Sequence, residues 1–440
     1  MSRFTRALAV VALALMAASP LRAQIAVQEI TSPGGIDAWL VEEHSIPFVA
    51  LEFRFLGGTS LDAPGSDGAT DIMTALLTEG AGDLDSRAFA AASEALAARI
   101  SFSAGRDTLS VSASMLTENR AEAAALLRKA MAEPRFDADA LERMRARAIS
   151  GVRSDARNPN SLAGRTFSER AWGDHVYGRP SSGTEDSLTA LTRDDLVAAH
   201  AGVFARDRLF VSAVGDITAA ELGVLLDDLL GWLPDTGAPQ PERADPQIAG
   251  GVTVVPFDGP QSVILFGHAG LPRDDDAFIP AFVMNEVLGG GRFGTRLMRE
   301  VREIRGLTYG IGTGLASGQF GDTLQGRFST DNARASEAIE IVRVEWAKMA
   351  AEGLTEAELS AIQTFLTGAY PLRFDGNANI AQILVGMQVQ GLPADYIEDR
   401  NALVEAVTLE DVRAIAARLL DPDALHFVVV GRPEGLETTK

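Results

Sequence analysis

GGGRFGTRLMREVREIRGLTYGIGTGL, residues 289–315, combines unusual backbone, clustered charge and a tyrosine set among apolar positions. Gly289, Gly290 and Gly291 can take backbone angles closed to other residues, so they make either a flexible gating loop or a place where another chain passes close by. A helix is expected from Thr295 to Arg305, because Leu297, Met298 and Val301 return at helical spacing while Arg296, Arg299, Glu300, Arg302 and Glu303 are charged. Gly306 would end it. Leu307 to Leu315 then reads as a strand, with Leu307, Tyr309, Ile311, Thr313 and Leu315 on one face and Thr308, Gly310, Gly312 and Gly314 on the other. A face of three glycines weakens a strand unless a helix or an extended ligand comes close to it. On this reading Arg302 and Tyr309 can converge across the Gly306 turn, and a guanidinium beside a phenol can donate hydrogen bonds to a peptide carbonyl or an oxyanion.

At 440 residues the chain is long for one core, and two domains are expected. Arg3 and Arg6 precede the apolar run Ala7 to Ala18, and cleavage after Ala23 would remove residues 1–23 as a secretory signal. No later apolar run reaches the length of a membrane span, so a secreted, periplasmic chain is expected. With zero cysteines, disulfides, thiolate catalysis and Cys-ligated zinc are excluded. The net charge of −21 becomes −24 once Arg3, Arg6 and Arg22 leave with the signal, which argues against nucleic acid or anionic lipid as a partner.

Leu233 to Gly250 carries Pro234, Pro239, Pro241 and Pro246 and reads as a linker between domains at 24–232 and 251–440. The two halves share a plan. Thr192, Asp195, Asp207, the apolar run Leu209 to Val214 and Gly215 return as Thr408, Asp411, Asp423, Leu425 to Val430 and Gly431, every pair offset by 216. Thr192 and Thr408 begin capping-box patterns. The openings agree as well: strand Phe48 to Phe55 and helix Thr70 to Leu77 match strand Val263 to Phe266 and helix Ile279 to Leu288. The pattern predicts an α+β fold of two homologous sheet-plus-helices layers. Ala88 to Ile100, rich in spaced alanines, reads as one closely packed helix.

Together these residues resemble the pitrilysin/insulinase-type zinc peptidases, which carry an inverted H-x-x-E-H motif. The likeness spans roughly Ile25 to Arg432 and is most specific at GGGRFGTRLMREVREIRGLTYGIG, at NPNSLAGRTFSERAWGDHVYGRPSSGT (158–184), and at the repeated strand ends VSAVGDIT and VVVGRPE. It implies two α+β domains of the LuxS/processing-peptidase-like type. The first holds zinc in active members, and the second presents an Arg and a Tyr, seven residues apart, to substrate. Arg302 and Tyr309 match that pair. The zinc half departs from the pattern: Asp71 falls at the first histidine, Thr74 at the catalytic glutamate, Ala75 at the second histidine, and the third ligand near Gly151. Threonine is no general base at neutral pH, and alanine has no metal-binding atom. The five histidines, His44, His175, His200, His268 and His426, are too far apart to share a helix face. His175 to Pro180 resembles a family segment but is assigned to packing, with Tyr177 beneath a Gly178–Pro180 turn.

The resemblance therefore implies a zinc-less accessory subunit with no metal of its own. Its expected partner is an H-x-x-E-H chain carrying zinc, in a heterodimer or heterotetramer, with peptide as substrate added along a sheet edge. The alternative is a non-hydrolytic peptide-binding or scaffold protein of the same fold.

Overall fold

The computed structural model describes residues 25–439, and the expected signal, residues 1–23, lies outside the described residues. The first half runs through β1 (Gln28–Thr31), β2 (Asp37–Glu42), β3 (Phe48–Leu56), α1 (Ala69–Leu76), the short pair β4 (Gly80–Ala81) and β5 (Leu84–Asp85), and α2 (Ser86–Ala95). It continues with β6 (Arg99–Ala104), β7 (Thr108–Leu116), α3 (Arg120–Ala132), α4 (Ala138–Asp155), α5 (Pro159–Trp172), α6 (Glu185–Ala190), α7 (Arg193–Val203), β8 (Leu209–Gly215) and α8 (Ala219–Leu230). The second half holds β9 (Gly251–Pro256), β10 (Gln261–Ala269), α9 (Phe278–Leu288), a π-helix (Met298–Ile304), β11 (Ile311–Ser317) and β12 (Asp322–Asp331). It ends with α10 (Ala335–Glu352), α11 (Glu356–Ala369), α12 (Asn377–Val389), α13 (Tyr396–Ala406), α14 (Leu409–Leu419) and β13 (His426–Gly431).

The strands follow from the apolar pattern. In β7, TLSVSASML, the residues Leu109, Val111, Ala113 and Met115 are buried while the polar residues between them are only half-buried. The more continuously apolar β3, FVALEFRFL, lies covered on both faces, which a one-sided alternation would not require. The first sheet has the order β1-β2-β8-β3-β7-β6 and the second β11-β12-β10-β13-β9. Read from its other end, the second repeats the first without β1: each has one parallel pair, β2 with β8 or β9 with β13, followed by antiparallel neighbours. Both α7 and α14 begin with complete capping boxes, Thr192 with Asp195 and Thr408 with Asp411, so the offset of 216 in sequence is also an offset between equivalent elements.

Each half covers its own sheet with helices on one face and lends one helix to the other half. From the first half, α5 packs on β10 and β13, burying Ala163, Phe167 and Ala171 against Val263, Val428 and Val430. Gly267 on β10 permits this approach, since a Cβ there would stand 3.1 Å from the Phe167 ring and 2.4 Å from the Leu324 carbonyl. In return α12 lies across β3 and β8, burying Ala381, Leu384 and Met387 against Trp39, Ala50 and Val214. Each fully buried Phe or Leu side chain contributes roughly 1.5–3 kcal/mol. Polar pegs fix the position of α12: Ser212 Oγ donates to the Ala381 carbonyl at 2.7 Å and Gln388 Nε2 to the Val211 carbonyl at 2.8 Å.

The proline-rich segment after α8 contains no helix or strand before β9, but it is pinned. Ala244 N–H donates to Phe320 O at 2.9 Å, Gln247 N–H to Ala171 O at 2.7 Å, and Arg243 pairs with Asp322. One expectation fails nearby. Ala88 to Ile100 is not a single helix: α2 ends at Ala95, Ala97 takes a positive φ of 48°, and Ile100 lies in β6. Nor is it closely packed, since Phe89 is the one fully buried residue of α2 and much of its alanine surface faces solvent.

Candidate functional site

The helix expected over Thr295–Arg305 forms as a short turn followed by a π-helix, a wider coil that recurs at functional sites. Its inner side is set by Leu297, Met298 and Val301, all buried in the second core. The outer side is charged and mostly paired. Arg296 grips Glu358 through two bonds of 2.8 and 2.7 Å and the Gly353 carbonyl at 2.9 Å. Arg305 and Arg299 share Glu300, at 2.7 and 3.2 Å, and hold its carboxyl below the usual glutamate range, Arg305 contributing most. Arg302 differs from these three: among the described residues it has no carboxylate or carbonyl partner, and its guanidinium lies over the Phe293 ring, 4.7 Å from the centroid.

Gly306 takes a φ of +61° and donates to the Arg302 carbonyl at 3.0 Å, closing the coil. The strand does not begin at Leu307 as the alternation suggests. Thr308 Oγ1 donates to Gly310 O at 2.8 Å and accepts from Gly310 N–H at 3.1 Å, a local turn that delays β11 until Ile311. Tyr309, at the tip of that turn, is 91% exposed instead of packed in the strand core, and its hydroxyl has no partner among the described residues. Tyr309 is thus turned outward while Arg302 is half-buried against Phe293, and no hydrogen bond or ring contact joins the two.

The three glycines have distinct positions. A Cβ on Gly289 would meet Thr313 Oγ1 at 2.4 Å, and the Gly289 carbonyl accepts from Thr313 N–H and Gly291 N–H, both at 2.6 Å. A Cβ on Gly290 would meet the Glu286 side chain, at 2.6 Å, while Gly291 needs its left-handed φ of +76°. The loop thus leans on the outer edge of β11. The partner of the glycine face is this loop itself at Gly312, where a Cβ would stand 3.5 Å from the Gly289 carbonyl oxygen and the Gly291 Cα, whereas a Cβ on Gly310 or Gly314 would face open space. With Ile311 N–H directed to Met298 Sδ at 3.4 Å and Thr313 N–H already used, the start of that edge is closed to an added strand. Sequence reasoning missed the brace behind it, Asn285, whose side chain takes the Thr313 hydroxyl at 2.7 Å and donates to the Thr313 carbonyl at 3.3 Å. A lone asparagine in the apolar run FIPAFVMNEVL was the available signal.

Asp71, Thr74 and Ala75 lie together on α1. Asp71 is half-buried and its carboxyl is pushed up by burial, the Thr74 hydroxyl donates to the Thr70 carbonyl at 2.7 Å, and Ala75 faces solvent. Gly151 on α4 adds no donor, so these residues do not fit zinc. The acid that does organise α1 is Asp62, which accepts from Gly68 N–H (2.8 Å), Thr70 N–H (3.0 Å) and the Thr70 hydroxyl (2.6 Å), and which burial pushes up to about 6. The histidines are separately engaged: His44 with Asp216 and Glu42, His175 with Glu242 O, His200 with Met131 O, His268 with Trp346, and His426 with Thr253.

The segment at His175–Pro180 joins the halves as well as packing. Tyr177 is buried, with its hydroxyl donating to Asp107 Oδ2 at 2.7 Å and accepting from Phe320 N–H, beyond the linker, at 3.0 Å.

Residues 190–366 match the family model described as the peptidase M16 inactive domain. A solved structure of a peptidase M16 inactive domain from Pseudomonas fluorescens superposes with a TM-score of 0.87 at 28% identity, covering 94% of this chain and all of its own. The chain is an M16 peptidase homologue. Across the M16 relatives, a Helicobacter pylori protein named non-peptidase homolog YmxG is 23% identical over 390 residues, 88% of this chain and 90% of its own. The periplasmic protease PqqL from Escherichia coli has the same fold over 93% of this chain and 46% of its own, with a TM-score of 0.78 and 16% identity. Among the described residues no helix is long and apolar enough to cross a membrane.

Proposed function

We propose that this M16 homologue is a zinc-less accessory subunit of a secreted, periplasmic metallopeptidase, acting on peptides only beside a homologous chain that carries H-x-x-E-H and zinc. The observation that carries the proposal is the state of Arg302: it alone among the arginines of residues 296–305 lacks a counter-charge among the described residues, and Tyr309, seven residues on, exposes 91% of its surface, its hydroxyl without a partner there. A guanidinium and a phenol whose N–H and O–H donors meet no acceptor among the described residues are suited to groups on another molecule. In the assembled enzyme the partner's zinc would activate water, and Arg302 and Tyr309 would hold substrate carbonyls and the oxyanion that forms.

Peptide hydrolysis measured on this chain alone, on a zinc-loaded H-x-x-E-H chain from the same organism, and on the mixture tests the proposal. Activity on mixing that falls with Arg302→Ala supports it, and hydrolysis by this chain alone overturns it. The Helicobacter relative, named a non-peptidase homolog, favours a second reading, a peptide-binding scaffold without hydrolysis. Peptide bound but never cleaved by the mixture would select that reading.

A further inference from the structure

A cavity of about 330 Å³ lies where the two halves meet, between α4, α5 and the loop 178–183 of the first half and Leu265 and Gln325 of the second. Its wall reverses the charge balance of the chain. The whole sequence has 39 Lys and Arg against 60 Asp and Glu, yet Arg106, Arg165 and Arg179 face this space with Asp155 as the one carboxylate.

The three arginines are not equivalent. Arg179 is used by the fold, with Nε on Asp67 at 2.7 Å and Nη2 on the carbonyls of Asp62 and Ala63 at 3.0 and 3.1 Å. Arg165 gives only Nε to Glu169, at 2.8 Å. Arg106, in the β6–β7 turn and half-buried, gives Nη1 to the Tyr177 carbonyl at 2.7 Å and lies over the Tyr177 ring, and its other N–H groups have no acceptor among the described residues. Asp155 is engaged by the Ser161 hydroxyl at 2.9 Å, whereas the hydroxyls of Ser181 and Ser182 have no partner there. A partly desolvated guanidinium with idle donors, lining the same cavity as idle hydroxyls, is matched by an oxyanion. The volume, about 330 Å³, is at the lower end of small-molecule sites.

We infer that this cavity binds a small organic oxyanion, a carboxylate or a phosphate ester, held by Arg106 with Arg165, Ser181 and Ser182 as further donors. The site is separate from Arg302 and Tyr309, and a ligand in it touches both halves.

The test uses the full mature chain with three probes: N-acetyl-dialanine as the free acid, the same compound as its neutral amide, and inorganic phosphate. Each is followed by calorimetry and by the rise in Tm that binding imposes. Binding of the acid or of phosphate, with the amide silent, is expected, and which anion binds identifies the source of the group. Arg106→Gln is expected to weaken that binding at least tenfold. Ser182→Glu, at an exposed position that leaves folding intact, places a repelling charge at the rim and is expected to weaken it similarly. Arg302→Ala leaves it unchanged, which separates this site from the accessory-subunit reading. Absence of binding by both anions, or binding that both variants retain, overturns the inference.

Discussion

Tyr177→Phe removes one oxygen atom and keeps the ring, so its effect isolates a polar link between the halves. The ring packs edge-on to Trp172 at 5.1 Å and near Phe320 at 6.0 Å, contacts that phenylalanine reproduces. The hydroxyl gives a 2.7 Å bond to the Asp107 carboxylate and takes a 3.0 Å bond from Phe320 N–H. Burial, reinforced by the carboxylate, pushes the phenol pKa well up, so the group remains a donor throughout the accessible pH range. A hydrogen bond to a charged group contributes about 1.5–3 kcal/mol, and a buried N–H left unpaired costs about 1–3 kcal/mol. The two terms overlap, because Asp107 Oδ2 keeps a 3.1 Å bond from Gln319 N–H, while Asp107 Oδ1 is already buried without a partner among the described residues. The expected loss is therefore about 3 kcal/mol. Urea unfolding followed by tryptophan fluorescence measures it, and the same link predicts that the variant's transition broadens as the halves part company. A loss below about 0.5 kcal/mol, the size of an ordinary surface substitution, would refute the reasoning.

Tyr309→Phe should leave the urea midpoint of the isolated chain unchanged, since the side chain is 91% exposed, yet lower kcat of the reconstituted peptidase by about a hundredfold, as loss of one oxyanion donor does. Gly289→Ala is expected to destabilise by about 1–3 kcal/mol, because the new methyl carbon would sit 2.4 Å from Thr313 Oγ1, and amide exchange should quicken at Thr313 if the loop is displaced from β11. Asp62 carries a pH prediction. Its carboxyl titrates near 6 in the fold against 3.8 normally, so its contribution is most favourable below the lower value and is lost as pH rises through about 6, a change of about 3 kcal/mol. Asp62→Asn retains an acceptor for Gly68 and Thr70, and its stability relative to the parent should improve by up to that amount from pH 4 to pH 7.5; a pH-independent difference would count against the buried charge.

What was legible in the sequence was local or repeated. The capping threonines Thr192 and Thr408 and the strands that follow them stand out because a helix cap and an apolar run need only neighbouring residues to be read. Tyr309 was misplaced because period-two alternation was carried back through Thr308, whose hydroxyl folds the backbone into a turn and breaks the period. The π-helix was read as an ordinary helix because the same apolar residues, Leu297, Met298 and Val301, fit either coil over so short a span. Tyr177 was legible as buried but not as a junction, since both its partners, Asp107 and Phe320, are distant in sequence. The crossing of α5 and α12 was hidden for the same reason: an apolar helix face records that it is covered, not by which half.

That crossing constrains how such a chain can arise and be divided. A solitary ancestral unit of this plan would have left one apolar sheet face bare and one helix without a seat, and two copies related by a twofold axis would have cured both defects at once. Joining two such copies in one polypeptide makes that handshake permanent, with the proline-rich segment as the seam. Cutting that seam should not release two free domains. Fragments produced separately would be sticky and poorly folded, whereas fragments made together should find each other and rebuild the grip that the intact chain inherits.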